Sequence, residues 1–239
     1  MKKLFIVLVL LVLCGVGLLG MLGLVPGLSS ILGAGPKDLG IRYDENDSKA
    51  ARVKSGGTEI IALPPGTSAS EDFRLEGKKD ARFTMDSKEL TAHSNNRPWK
   101  NYPVKNLQIK IHEDGSVEAS AILLVSKAMP YAMALGYSEQ QIRDAMKQYS
   151  LPPFEVPIYV MGKGLVVNDS VTVDAKTVKI GAIPLPGDIV TRANNEAESV
   201  LNDLIGKHSS AFHAEEVSFV GGKMTFVGQV PAKEYVITE

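Results

Sequence analysis

The chain opens on its longest apolar run. Behind Met1-Lys2-Lys3, Leu4 to Val25 passes 22 residues without a charge. At 1.5 Å rise per residue a helix of that length reaches about 33 Å, enough to cross a hydrocarbon core. Cleavable signals have a shorter apolar stretch and a small-x-small cleavage site, and the candidates around Gly27, Ser29 and Ala34 fit poorly. The expectation is a retained transmembrane anchor over residues 1–26, with Lys2 and Lys3 cytoplasmic and the remainder outside. A removed signal is the alternative. Cys14 lies within the apolar run and reads as a membrane-buried side chain.

Residues 27–70 read as a polar stalk or linker. Pro26 to Pro36 is rich in Gly, Ser and Leu, and Ser55-Gly56-Gly57 and Leu63-Pro64-Pro65-Gly66 signal turns. A loose echo links Arg42-Tyr43 and the following Asp44–Ala50 to Arg82-Phe83 and the following Thr84–Leu90, each a strand end entering a short helix. Asp86 and Glu89 have capping-box spacing.

From residue 104 the patterning sharpens. Leu107, Ile109 and Ile111 alternate with polar residues, Asp114-Gly115 marks a hairpin, and Val117, Ala119, Ala121, Leu123 and Val125 return on one face. Glu118 and Ser120 suggest that one end of this hairpin is solvated on its second face. Ser138-Glu-Gln-Gln141 has capping-box form and starts a helix carrying Ile142, Ala145, Met146 and Tyr149. Strands follow at Val156–Val160 and Leu165–Val167, with Asn168-Asp169 turning into Val171, Val173 and Ala175. The apolar phase then switches to Val178 and Ile180, which predicts a bulge near Ala175–Thr177. Ile189, Val190, Ala193, Ala197, Val200, Leu201, Leu204 and Ile205 recur at helical spacing after Asp188, a candidate cap, and Gly206 is a stop signal. Val217 and Phe219, Gly221-Gly222, then Met224, Phe226 and Val230 form a last hairpin. Hairpins separated by helices predict an antiparallel α+β domain over residues 71–239, a curved sheet wrapped around one long amphipathic helix.

The chain has 239 residues and formal net charge −1, with 26 basic and 27 acidic residues. A phosphate-neutralising nucleic-acid binder would carry a basic excess, so that class is disfavoured. The single Cys excludes disulfide scaffolds and Cys-ligated zinc. No Gly-x-Ser-x-Gly or His-Glu-x-x-His motif occurs. His208 and His213 straddle a loop near Glu215 and Glu216, a weak metal arrangement, and no cofactor or metal is expected. The positive feature is methionine, a flexible lining residue: Met129, Tyr131, Met133, Leu135 and Tyr137 cluster between the first hairpin and the capped helix.

The segment Phe83-Thr84 followed by Glu89-Leu90-Thr91-Ala92 and a hairpin resembles the opening of the bacterial membrane-anchored YpmS/LmeA-like family. Val178-Lys-Ile-Gly-Ala-Ile-Pro-Leu-Pro-Gly187, followed by the long helix, is similar to the same family. The resemblance covers roughly residues 80–230. It implies a tubular lipid-binding (TULIP-like) fold with an acyl-chain groove between helix and sheet and no catalytic residues. On that basis the expected groove residues are Met129, Met133, Ile142, Met146, Ile189, Val200, Leu204 and Phe226. The expected role is a non-enzymatic lipid-binding protein on the outer side of the bacterial cytoplasmic membrane, its partner a membrane lipid or lipid-linked precursor. A ligand-free interaction or scaffold module in envelope assembly is the alternative.

Overall fold

The computed structural model describes residues 35–148 and 155–238, with the side chains of 144–148 outside that description. The expected anchor and the first part of the stalk lie outside the described residues. Within them no helix is long and apolar enough to cross a membrane.

The described chain is α+β, a mostly antiparallel curved sheet with one long helix. In order it forms α1 (Glu45–Lys54), β1 (Glu59–Ala62), a 3-10 turn (Ala69–Glu71), β2 (Phe73–Asp86), α2 (Ser87–Asn95), β3 (Val104–Ile111) and β4 (Val117–Leu123). There follow α3 (Val125–Ala134), α4 (Glu139–Gln148), β5 (Val156–Val167), β6 (Ser170–Ile180), β7 (Ile183–Pro184), α5 (Gly187–Lys207), β8 (His213–Val220) and β9 (Lys223–Val236). β9 is flanked along its length by β2; its other edge takes β8 and then, in parallel, β1. β5 is flanked in the same way by β6 on one edge and by β4 and then β8 on the other. The sheet curls until its turns meet: Gly221 N donates to Glu113 O at 3.3 Å. A Cβ on Gly115 would lie 2.4 Å from the Phe219 carbonyl oxygen.

The local chemistry explains these elements. Asn168 and Asp169 both adopt positive φ, 48° and 64°, as the tight β5–β6 turn requires. The predicted bulge is present, because Met161 pairs with Thr177 while Gly162 pairs with Ala175. Capping boxes open both halves of the sequence echo: Asp44 with Asp47 starts α1, and Asp86 with Glu89 starts α2. The two helices pack together, with Ser48 Oγ donating to Ala92 O and Lys88 paired to Asp47 at 2.9 Å.

Several expectations are corrected. Residues 37–70, read as linker, belong to the body for a physical reason: α1 places Ala51 in the core, and β1 extends the sheet on β9 in a parallel pairing. The outer end of the β3–β4 hairpin is not solvated. Glu118 and Ser120 are 8% and 1% exposed, because residues 36–42 cross over them as a strap. Asp188 does not cap α5; the cap is Pro186, and Asp188 sits in the first turn, paired to Arg192. The return strand β4 stops at Leu123, and α3 follows almost at once with Pro130 inside it.

Both long sheet edges away from β2 are finished by helix side chains. On α2, Ser87 Oγ accepts from Ile111 N at 2.8 Å, and the Thr91 hydroxyl accepts from Ile109 N and donates to Ile109 O. Asn95 does the same for Leu107 N and O. On α5, Asn202 accepts from Val171 N, Glu198 from Val173 N and Asn194 from Ala175 N. Each ladder steps four residues along a helix and two along a strand. Those steps are about 6.0 and 6.7 Å, close enough to stay in register over two turns.

Candidate apolar ligand site

The expected groove residues can now be placed. Met129 and Met133 on α3 are half-buried against the main apolar core, and Ile142 on α4 is 2% exposed within it. Val200 and Leu204 on α5 and Phe226 on β9 join the same cluster. All six thus belong to, or pack against, one apolar core. Ile189 does not: at the start of α5 it is 36% exposed and outside both apolar clusters, because the buried stripe there runs through Val190 and Ala193. The Met146 side chain lies outside the described residues.

Around the six, a half-buried apolar rim comprises Tyr137, Ile205 and Phe212, with Phe83 on β2. Phe226 is the floor of this region. It stacks on Phe83 with ring centroids 5.0 Å apart and meets Phe212 at 6.0 Å. Lys207 stands over the Tyr137 ring at 5.1 Å and pairs with Asp203 at 2.7 Å, so the cation at the lip is already balanced. Burial, reinforced by the Asp203 charge, pushes the Tyr137 hydroxyl up to about 12, so it stays a neutral donor.

A second layer, of which the sequence marked only Tyr131 as apolar lining, lies beside this region. Trp99 stacks on Phe73 at 5.0 Å and tilts against Tyr131 at 4.8 Å, while His208 meets the edge of Phe73 at 5.4 Å. Fully buried Asp72 orders this layer: it accepts from Trp99 Nε1 at 2.7 Å, from the Asn101 amide, and from Ile237 N at 2.6 Å. Arg97 pairs with buried Glu234 at 3.2 Å beside it. Burial drives the Tyr102 hydroxyl up to about 12 and Tyr131 higher still. The participants lie at positions 72, 99, 101, 208 and 237, too far apart in sequence for any periodicity to connect them. The one available signal was a lone Trp beside polar residues, Arg97 and Asn101.

The histidines weighed for a metal part company. His208 lies on Phe73, where burial and then the Lys207 charge lower its basicity. His213 Nδ1 bonds Asp169 Oδ2 at 2.6 Å. Among the described residues no group of three His, Cys, Asp or Glu side chains could hold a metal ion. What the arrangement offers chemically is apolar area, with aromatic hydroxyls and one balanced ion pair at its margin.

No family model, no curated protein and no solved structure matches this chain.

Proposed function

We propose that the chain is a membrane-anchored, extracytoplasmic, non-catalytic lipid-binding protein of the bacterial envelope. Supporting this reading are Met129, Met133, Tyr137, Leu204, Ile205 and Phe212, all half-buried against one large apolar core. Met side chains repack around a flexible guest at little cost. Each acyl methylene taken from water there contributes about 0.8 kcal/mol. The membrane supplies the guest, and the anchor expected at residues 1–26 keeps the domain beside it. The Lys207 cation at the lip is balanced by Asp203, so it does not by itself select an anionic headgroup.

A second reading is a ligand-free interaction module in envelope assembly. It is favoured by Ile142 and Phe226, only 2% and 5% exposed, as in a closed core. Native mass spectrometry of the full chain, purified from membranes, separates the two. The lipid-binding reading requires a near-stoichiometric lipid mass that Met133→Trp or Leu204→Trp displaces by filling its space. A folded chain with no lipid mass, in both wild type and variants, leaves the interaction module.

A further inference from the structure

The sheet finishes its edges unequally. The β3 edge is closed by Ser87, Thr91 and Asn95 of α2, and the β6 edge by Asn194, Glu198 and Asn202 of α5. β2, at fourteen residues one of the two longest strands, has no such cover. It pairs with β9 alone, and among the described residues no other strand or side-chain ladder bonds to its outer edge. An unpaired edge of that length is a template for another strand.

Charge on β2 specifies which strand. Its outward-facing residues are Arg74, Glu76, Lys78, Asp80 and Arg82, strictly alternating in sign, then Thr84. Across the sheet on β9, Lys78 faces Pro231 and Arg82 faces Val227, so neither cation meets a carboxylate there. An antiparallel copy of the same strand supplies what is missing, subject to a parity rule. If the two-fold axis falls on residue 79, Lys78 opposes Asp80 and Glu76 opposes Arg82, each twice. If it falls on residue 78, Glu76 opposes Asp80, Arg74 opposes Arg82 and Lys78 opposes itself; if on residue 80, Lys78 opposes Arg82 and Asp80 opposes itself. Residue 77 has the same parity but is a poorer centre, because β2 begins at Phe73 and only residues 73–81 could then pair, against 73–85 about residue 79. Lys79 itself is directed away from the edge, its Nζ donating to Gly57 O at 2.9 Å. Cross-strand pairs of unlike charge stabilise a ladder and like pairs oppose it.

We propose that the outer edge of β2 binds the β2 strand of a second copy of this chain, antiparallel and centred on Lys79, joining two sheets into one.

The test uses the full chain in its own membranes, in a Cys14→Ser background that removes the only native thiol. Residues directly opposite lie about 4.5–5.5 Å apart between Cα atoms, within disulfide reach. Diagonal ones, about 7–8 Å apart, are not. Under mild oxidation Lys79→Cys is expected to cross-link to a dimer. Lys78→Cys and Asp80→Cys are expected to remain monomeric alone and to cross-link when co-expressed. Glu76→Arg should cut the Lys79→Cys yield at least tenfold, and adding Arg82→Glu should restore it, which no change in folding alone would do. Wild-type emission from buried Trp99 verifies that each variant is folded. Equal cross-linking at 78, 79 and 80, or capture of a different protein in place of a second copy, overturns the proposal. So does a strictly monomeric wild-type chain in native mass spectra at micromolar concentration.

Discussion

Asp72 joins three segments that are distant in sequence: the 3-10 turn that precedes β2, the Trp99–Asn101 loop, and the chain end at Ile237. Asp72→Ala strands three donors in the interior. It should cost about 3–5 kcal/mol, read as a fall in Tm of about 10 °C. Ser120 is the opposite case. Its hydroxyl is buried without a hydrogen-bond partner among the described residues, so Ser120→Ala should be neutral or stabilise by up to about 1 kcal/mol in urea unfolding. His93 on α2 carries the clearest pH dependence. Burial, then Arg97 and Arg52, lowers it to about 4. The unfolded chain therefore binds the proton more tightly. Stability is fully present above about pH 6.5 and is lost as pH falls towards 4, by at most about 3 kcal/mol. His93→Gln should flatten the Tm profile across that window.

At the scale of elements, the polar ladders on α2 and α5 matter more than helix propensity. Thr91→Val keeps shape but strands the N–H and C=O of Ile109, both otherwise satisfied by one hydroxyl. We expect a loss of about 2–3 kcal/mol and faster amide exchange at Ile109. Asn194→Ala, at a half-buried position on the other edge, should cost about 1 kcal/mol. These ladders also show what could be read in advance. The hairpins, the bulge after Ala175 and the long helix were legible because period-2 and period-3.6 patterns encode faces directly. Glu198 and Asn202 were legible only as a polar face, since a side chain bonded to a strand edge has the same composition as one bonded to water. α3 was not recognised as a helix, because its Ala and Met content is interrupted by Pro130, and its apolar cluster was visible without its geometry.

At the scale of the whole molecule, the strap ties the N-terminal side of the body to the outer face of the sheet. The side-chain amide oxygen of Gln108 accepts from both Leu39 N and Ile41 N, at 2.9 and 3.2 Å. Lys37 bonds Glu118 and Tyr159 and lies 4.2 Å over the Tyr159 ring. Burial raises the Glu118 carboxyl, but hydrogen bonds from Lys37, Tyr159 and His112 outweigh it and hold it at about 2. The clasp is therefore intact above about pH 4.5 and opens only as pH falls towards 2. Glu118→Gln should loosen it at neutral pH, measured as faster exchange of the Leu39 and Ile41 amides with little change in global Tm. This strap was illegible as structure because its holds are polar and few, which in sequence is how a linker looks. The burial of Ile142 and Val200 was legible because helix periodicity named their faces, and that of Phe226 because it alternates along a strand. Ile189 lies outside the buried stripe because one residue of rotation separates that stripe from its flank.

The direction of the strap has a mechanical consequence. Lys37 is held at β4 and β5, and Leu39 and Ile41 at β3, so the segment crosses the strands instead of running along them. Tension applied at Gly35 would load these contacts one after another, as in peeling tape, and not all together as in shear. Each contact resists alone, so the strap yields at low force, before β9 between its neighbours is loaded. Freeing residues 35–41 would pay out about 24 Å of chain, a built-in slack that releases the segment before Glu45 while the body remains folded.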